Sequence, residues 1–210
     1  MENLRRGVQN SFNEGAILAY HHKLVGGYNP AKLSIYQDLI ENQWYNFPNC
    51  LPTVNMMNTK YIITGNMASD TIPNPDALGN AWFVKGIEFK KGPRAVMDHL
   101  SFFNPKDTAV MDEQDKIADL DSLQVDSSAS IQLVDNKNDE ITYKAKTTAK
   151  QLAVFSEIYY KDGWKAYIDD KETPIIKVNF VLRGLVVPTG DHTIKFEFKP
   201  ASITGAKQIA

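Results

Sequence analysis

The sequence predicts an α+β protein in which an N-terminal mixed α/β unit packs on a C-terminal antiparallel β-sandwich. Two observations carry this. Through the first half, apolar residues recur at helical spacing between proline and glycine stops; beyond residue 128 the period drops to two, and turn residues rather than helices separate the apolar runs. A third concerns size. With 210 residues, 43% hydrophobic, and 10 Phe, 9 Tyr and 3 Trp, the chain has material for one sizeable core or two smaller ones sharing an interface.

A Gly-rich corner, Gly26-Gly27-Tyr28-Asn29, precedes the first helix, with Asn29 as its cap and Pro30 at its first position. Leu33, Tyr36, Leu39 and Ile40 then form one apolar stripe, so the spacing predicts a helix over 30–42. Pro48 and Pro52 stop it, and a short helix follows over 52–58. Lys60 to Thr64 reads as a buried strand through its aromatic and β-branched content. After a Pro- and Asp-rich loop, residues 81–89 read as a single strand bulged at Gly86. Pro93 opens a helix over 93–103, since Val96, Leu100 and Phe103 fall at i, i+4 and i+7. A short strand covers Thr108 to Met111.

Asp112 to Ser128 is acidic and polar around a thin stripe of Ile117, Leu120 and Leu123, which reads as a connector with one helical turn. Period-two runs follow: Ile131 and Leu133; Ile141, Tyr143 and Ala145; Leu152 and Val154; Trp164, Ala166 and Ile168; Ile194, Phe196 and Phe198. Turns fall at Asp135–Asp139, Lys161–Gly163, Asp169–Lys171 and Pro188–Asp191. The division is thus an α+β unit over 1–112, an acidic connector over 113–127, the sandwich over 128–200 and a tail over 201–210.

Several function classes drop out. A formal charge of −2 gives no basic field for nucleic acid. Cys50 stands alone, so there is no intramolecular disulfide and no thiolate zinc site. The richest apolar run near the C-terminus, Val178 to Val187, is interrupted by Asn179, Arg183 and Gly184 and is far shorter than the roughly 20 residues of a spanning helix. Met1 to Arg6 has no apolar stretch behind it and is no secretion signal, so the chain either stays in the cytosol or is a segment of something larger.

The four histidines, His21, His22, His99 and His192, show no metal-ligand spacing, and no cofactor motif is present. His99 flanks a helix stripe and reads as solvated; His192 reads as an exposed turn residue. There is no G-x-S-x-G and no phosphate loop, and the carboxylate pairs Asp139-Glu140 and Asp169-Asp170 sit in turns, where Asp is favoured for backbone reasons. No catalytic residue is assigned. Aromatic clusters are more informative: Trp44-Tyr45 with Phe47, and Tyr159-Tyr160 with Trp164 and Tyr167. Rings stack on sugar C–H faces, and Lys165 and Arg183 can hydrogen-bond hydroxyls. On alternating strands Trp164 belongs to the interior and Tyr167 to the surface, which makes Tyr167 a candidate glycan contact; the same rings also serve as ordinary core.

Six blocks carry a resemblance. Tyr20-His21-His22-Lys23-Leu24-Val25-Gly26-Gly27-Tyr28-Asn29-Pro30-Ala31-Lys32-Leu33, then 36–40, 57–63, 74–84, 155–169 and 188–194, resemble in order the extracytoplasmic C-terminal region of YfhO-like bacterial membrane proteins, in the version found in Bacteroidetes. The resemblance implies a segment facing the periplasm, with transmembrane helices of the parent chain before residue 1 and after residue 210. It further implies a polytopic glycosyltransferase that uses lipid-linked sugars and decorates a cell-envelope polymer, with catalytic carboxylates on loops outside this segment. The expected partners are therefore the parent's membrane region and a cell-envelope glycan or lipid-linked sugar. The family commonly shows Asp-Gly where this chain has Asp169-Asp170, and a type I′ turn there would hold Asp170 at positive φ.

Together these readings lead to an accessory, non-catalytic domain that positions an acceptor glycan. Its candidate ligand contacts are Tyr167 and the Gly-Gly corner with His22, Lys23, Tyr28, Lys32 and Asp38, which offers donors, an acceptor and a ring. The corner is equally a tight turn around which neighbours pack. A structural or protein-interaction domain that braces the membrane part, without glycan binding, is the alternative; a hydrolase using His22 and Asp38 comes third.

Overall fold

The computed structural model describes residues 24–26, 32–63 and 70–200. The chain is mostly β, with several antiparallel sheets and few helices. Helix α1 runs Ser34–Asn42, a 3-10 turn covers Trp44–Asn46, and α2 is Leu51–Met56. Strands β1 (Tyr61–Ile63) and β2 (Thr71–Pro73) pair antiparallel as a two-stranded ribbon.

Helix α1 starts four residues later than the spacing predicts, because Leu33 caps it in an extended conformation, its carbonyl accepting the Tyr36 and Gln37 amides. The proposed Asn29 cap and Pro30 lie outside the described residues. Leu39 and Ile40 supply the buried stripe, and Tyr36 meets Trp44 edge-on at 5.6 Å. Gln43 ends the helix and is itself buried. Its Nε2 donates to the Met97 carbonyl at 2.8 Å and its Oε1 accepts from Ser101 Oγ at 2.9 Å, which ties α1 to the third helix. Helix α2 stops short of Asn58, which holds φ at +53°, a conformation Asn tolerates.

Residues 81–90 are not one bulged strand. They divide into β3 (Ala81–Phe83) and β4 (Gly86–Lys90), which belong to different sheets. The Asp107 carbonyl accepts both the Lys85 and Gly86 amides, at 2.7 and 3.1 Å, and the Lys85 ammonium reaches the Asp107 carboxylate at 2.8 Å. The chain therefore turns at Lys85. Helix α3 (Pro93–His99) ends before residue 103, although Leu100 and Phe103 are still buried beyond its end. It leads to β5 (Thr108–Asp112), which pairs in parallel with β4. The connector contains two 3-10 turns, Glu113–Asp115 and Ala118–Ser122, rather than one helical turn.

The remaining strands are β6 (Ser130–Asn136), β7 (Glu140–Thr147), β8 (Gln151–Ile158), β9 (Trp164–Ile168), β10 (Lys171–Thr173), β11 (Ile176–Val178), β12 (Leu182–Val187) and β13 (Gly190–Phe198). Two antiparallel sheets result, a five-stranded one in the order β10-β9-β13-β7-β6 and a four-stranded one in the order β11-β12-β8-β3. Ile141, Tyr143, Ala166, Ile194 and Phe196 of the first sheet share a hydrophobic cluster with Ala153, Phe155, Leu185 and Val187 of the second. Tyr143, Phe155 and Phe196 form an edge-on triad at its centre, with centroids 4.9 to 6.1 Å apart. Such pairs add about 0.5–1.5 kcal/mol each beyond area burial.

The other face of the four-stranded sheet packs Leu152, Val154, Leu182 and Val186 into a second cluster with Leu39, Ile40, Val96 and Leu100 of the helices. That sheet is a middle layer, covered on both sides. Strand β12 escapes a period-two reading for this reason, as all six of its residues are buried. Asn179, after β11, makes two bonds to β5: its backbone N–H donates to the Val110 carbonyl and its side-chain Oδ1 accepts the Val110 backbone N–H, each at 2.8 Å.

Candidate functional site

Of the six expected contact residues, His22, Lys23 and Tyr28 lie outside the described residues. Lys32 is half-buried just ahead of α1, and Asp38 is exposed on that helix. Tyr167 stands on β9 between Ala166 and Ile168, both of which enter the cluster shared by the two sheets. Strand geometry therefore aims Tyr167 at the outer face of the five-stranded sheet. Helix α1 packs beyond the far face of the middle layer. The structure thus sets Tyr167 on the opposite side of the molecule from Lys32 and Asp38.

Around Tyr167 the outer face is built of charge. Cross-strand register sets Glu172 and Lys195 on either side of it. Lys165 Nζ is 3.1 Å from Glu172, Lys195 Nζ is 3.4 Å from Glu140 and 3.6 Å from Glu197, and Lys199 pairs with Glu197. The Lys199 ammonium lies 5.6 Å from the Tyr167 ring centroid. Glu140 holds the Lys195 pKa above its ordinary value, Glu197 does the same to Lys199, and Lys199 lowers Glu197. These groups offer ammonium donors and carboxylate acceptors beside a half-buried phenol, the combination that hydroxyl-rich ligands use. Sequence reasoning named Lys165 but not Lys195, Glu197, Lys199 or Glu172. The signal was present, because residues 195, 197 and 199 alternate with Ile194, Phe196 and Phe198.

Trp164 does not extend this platform. The Arg183 guanidinium carbon lies 4.2 Å from its ring centroid, and Phe198 packs against it at 5.3 Å. Arg183 is out of reach of ligand hydroxyls as well: it is 3% exposed, and its Nε donates to the Ile158 carbonyl at 3.0 Å. Burial pushes its pKa down to about 10 and pushes that of Tyr143 up. Tyr160 stacks on Phe198 at 6.4 Å, and Trp44 is core.

Two histidines differ from expectation. His192 lies in strand β13, its Nδ1 2.6 Å from Asp169 Oδ2, while Asp169 Oδ1 accepts the Thr193 amide at 2.9 Å. The bond to His192 is the largest cause of a lowered Asp169 pKa. His99 is not simply solvated, since its Nε2 is 2.9 Å from Glu88 Oε2, a carboxylate lowered first by Lys90 and then by His99. Both pairs fasten neighbouring segments.

A further pair of groups is structural. Asp126 accepts from Ser128 N and Oγ at 2.8 and 2.6 Å and from Thr148 N at 2.6 Å, which lowers its pKa and fastens the connector to the β7–β8 turn. Buried Gln151 completes this latch through Thr147 Oγ1 and the Asp126 amide. A cavity of about 220 Å³ beside it is lined by Val84, Ile87, Phe89, Leu120, Leu123 and Leu152. Lys85, Gln124 and Gln151 join this hydrocarbon, so its wall is mixed, and the Gln151 amide is already engaged. Among the described residues no His, Cys, Asp or Glu group could hold a metal, and no helix is long and apolar enough to cross a membrane.

No curated protein and no solved structure matches the chain. A family model does: the one described as bacterial membrane protein YfhO aligns with residues 87–205, which takes in everything from β4 to β13, including both sides of the two-sheet cluster and the Tyr167 face. More than half of the sequence is covered, and the chain belongs to the YfhO family of bacterial membrane proteins.

Proposed function

We propose that this chain is a periplasmic accessory domain of a polytopic membrane protein, one resembling glycosyltransferases that draw on lipid-linked sugars, and that its two larger sheets form a β-sandwich whose outer face positions a cell-envelope glycan. The observation that carries the reading is the Tyr167 ring set among Lys195, Lys199, Lys165 and Glu172. A ring with polar groups at its edge accepts the C–H face of a sugar while the ion-paired side chains exchange partners for hydroxyls. In this reading the reaction itself belongs to the membrane region of the parent chain.

Titration of the chain with cell-envelope oligosaccharide fragments, followed by amide chemical shifts, tests the proposal. Shifts confined to β9, β10 and β13, weakened about tenfold by Tyr167→Ala, support it. Absence of any shift in the folded chain favours the second reading, a domain that braces the membrane part. That reading has its own observation: the lysines around Tyr167 are already matched to carboxylates, so this face is stable without a ligand.

A further inference from the structure

The β1–β2 ribbon exposes an unusual amount of hydrocarbon. Tyr61 is 63% exposed, Ile63 45% and Ile72 50%, and Pro73, opposite Tyr61 in the register, is exposed as well. Ile62 turns inward to the cluster around the helices, and Ile72, opposite it in the register, lies on that same side, so Tyr61, Ile63 and Pro73 make up the apolar part of the outer face. The ribbon is nevertheless anchored firmly at its base. The Asn74 amide donates to the Lys60 carbonyl at 2.8 Å, and the Asn74 side chain donates to Asn55 Oδ1 at 2.9 Å and the Thr59 carbonyl at 2.8 Å. An isolated two-stranded ribbon with an apolar outer face is marginal in water and invites cover.

Charge indicates what covers it. From Tyr61 to Pro75 the sequence carries a single charged residue, Asp70, in a chain that is 23% charged. A protein partner recognised by ion pairs would leave charge on this surface. A lipid surface selects against it, placing aromatic and aliphatic side chains at headgroup depth with cations behind them. Exposed Lys60 stands directly behind Tyr61 at the base of the ribbon. The family match is to a membrane protein. We infer that the β1–β2 ribbon is where this domain rests on the bilayer, with Tyr61, Ile63 and Pro73 in the interfacial layer and Lys60 facing anionic headgroups. The inference rests on the reading that the domain sits beside its membrane.

Ribbon contacts of this size bind weakly unaided, so the 210-residue chain is held by a C-terminal His tag on phosphatidylethanolamine/phosphatidylglycerol vesicles containing a nickel-chelating lipid. Tryptophan is introduced by Ile63→Trp, by Tyr61→Trp in case the first variant misfolds, and by Phe102→Trp as a control on another exposed ring; emission of the unsubstituted chain is subtracted. Lipids brominated in the acyl chain quench the added emission at 63 or 61 by about half, the depth expected of an interfacial side chain, and leave 102 unquenched. Equal quenching at all positions, none at 63 and 61, or protection of the ribbon by dimerisation of the chain overturns the inference. Fractionation of the whole gene product tests the underlying reading separately. A product outside the membrane fraction removes that reading, whereas a membrane-bound product with an unquenched ribbon removes only the docking surface.

Discussion

The guanidinium of Arg183 lies 4.2 Å from the ring centroid of Trp164 and 5.3 Å from that of Phe196. Through these contacts β12 of the four-stranded sheet is joined to β9 and β13 of the five-stranded sheet, and packing of the planar cation on rings is the main service of this buried charge. Arg183→Ala removes the stack and leaves a void. The expected loss is about 2–4 kcal/mol. Arg183→Met, which refills the space and removes a desolvated charge, costs less than half as much. Urea denaturation of both variants checks this; a Met variant as damaged as the Ala variant would show that the bond to Ile158 dominates.

Gly184 follows in the same strand, and a Cβ there would meet Val178 Cγ1 at 2.9 Å and Leu152 Cδ1 at 3.2 Å. Both neighbours are fully buried, so neither can swing away. Gly184→Ala therefore lowers stability by about 1–3 kcal/mol in the same assay.

Asp169 and Asp170 form the two-residue turn between β9 and β10, with φ at +48° and +65°. This is the backbone expected of a type I′ hairpin, and Asp at the second position is the costly choice. Asp169 is compensated by His192 and Thr193. Asp170→Gly relieves the strain and raises stability by about 0.5–1 kcal/mol, read as a higher thermal midpoint. Asp169→Gly lowers it, because the two anchoring bonds go with the side chain.

The Asp126 latch predicts a pH dependence. Its folded pKa is depressed, chiefly by the Ser128 hydroxyl and then by the Thr148 amide, so the carboxylate stabilises the fold above its unfolded value of roughly 3.9. That contribution is lost as pH falls through the depressed folded value. Chemical denaturation between neutral pH and strong acid should show wild-type stability falling more steeply below about pH 4 than that of Asp126→Asn. Parallel curves would show that the latch does not depend on the charge.

Much of the C-terminal architecture is legible in single residues. Ile141, Tyr143, Ala145, Ala166, Ile168, Ile194 and Phe196 all bury the face that alternation assigns them, and Tyr167 points the other way. Alternation is reliable here because the five-stranded sheet has one covered face and one charged face. It fails for β12, where both faces are covered, and for residues 81–90, where the Asp107 carbonyl redirects a run of continuous strand-like composition. It also gives no hint that Arg183 is interior, since a cation is placed inside by neighbours distant in sequence.

By itself the sequence determined which side chains of β6, β7, β9 and β13 face inward, where the turns between them fall, and, through its motifs, the family. Only the tertiary structure decided that the four-stranded sheet lies between two layers, that Arg183 is enclosed by Trp164 and Phe196, and that Tyr167 is turned away from Lys32 and Asp38. The physical reason is that periodicity reports the covering of one face of one strand. Layer order and partners across a sheet are set by contacts between residues far apart in the chain, which leave no local period.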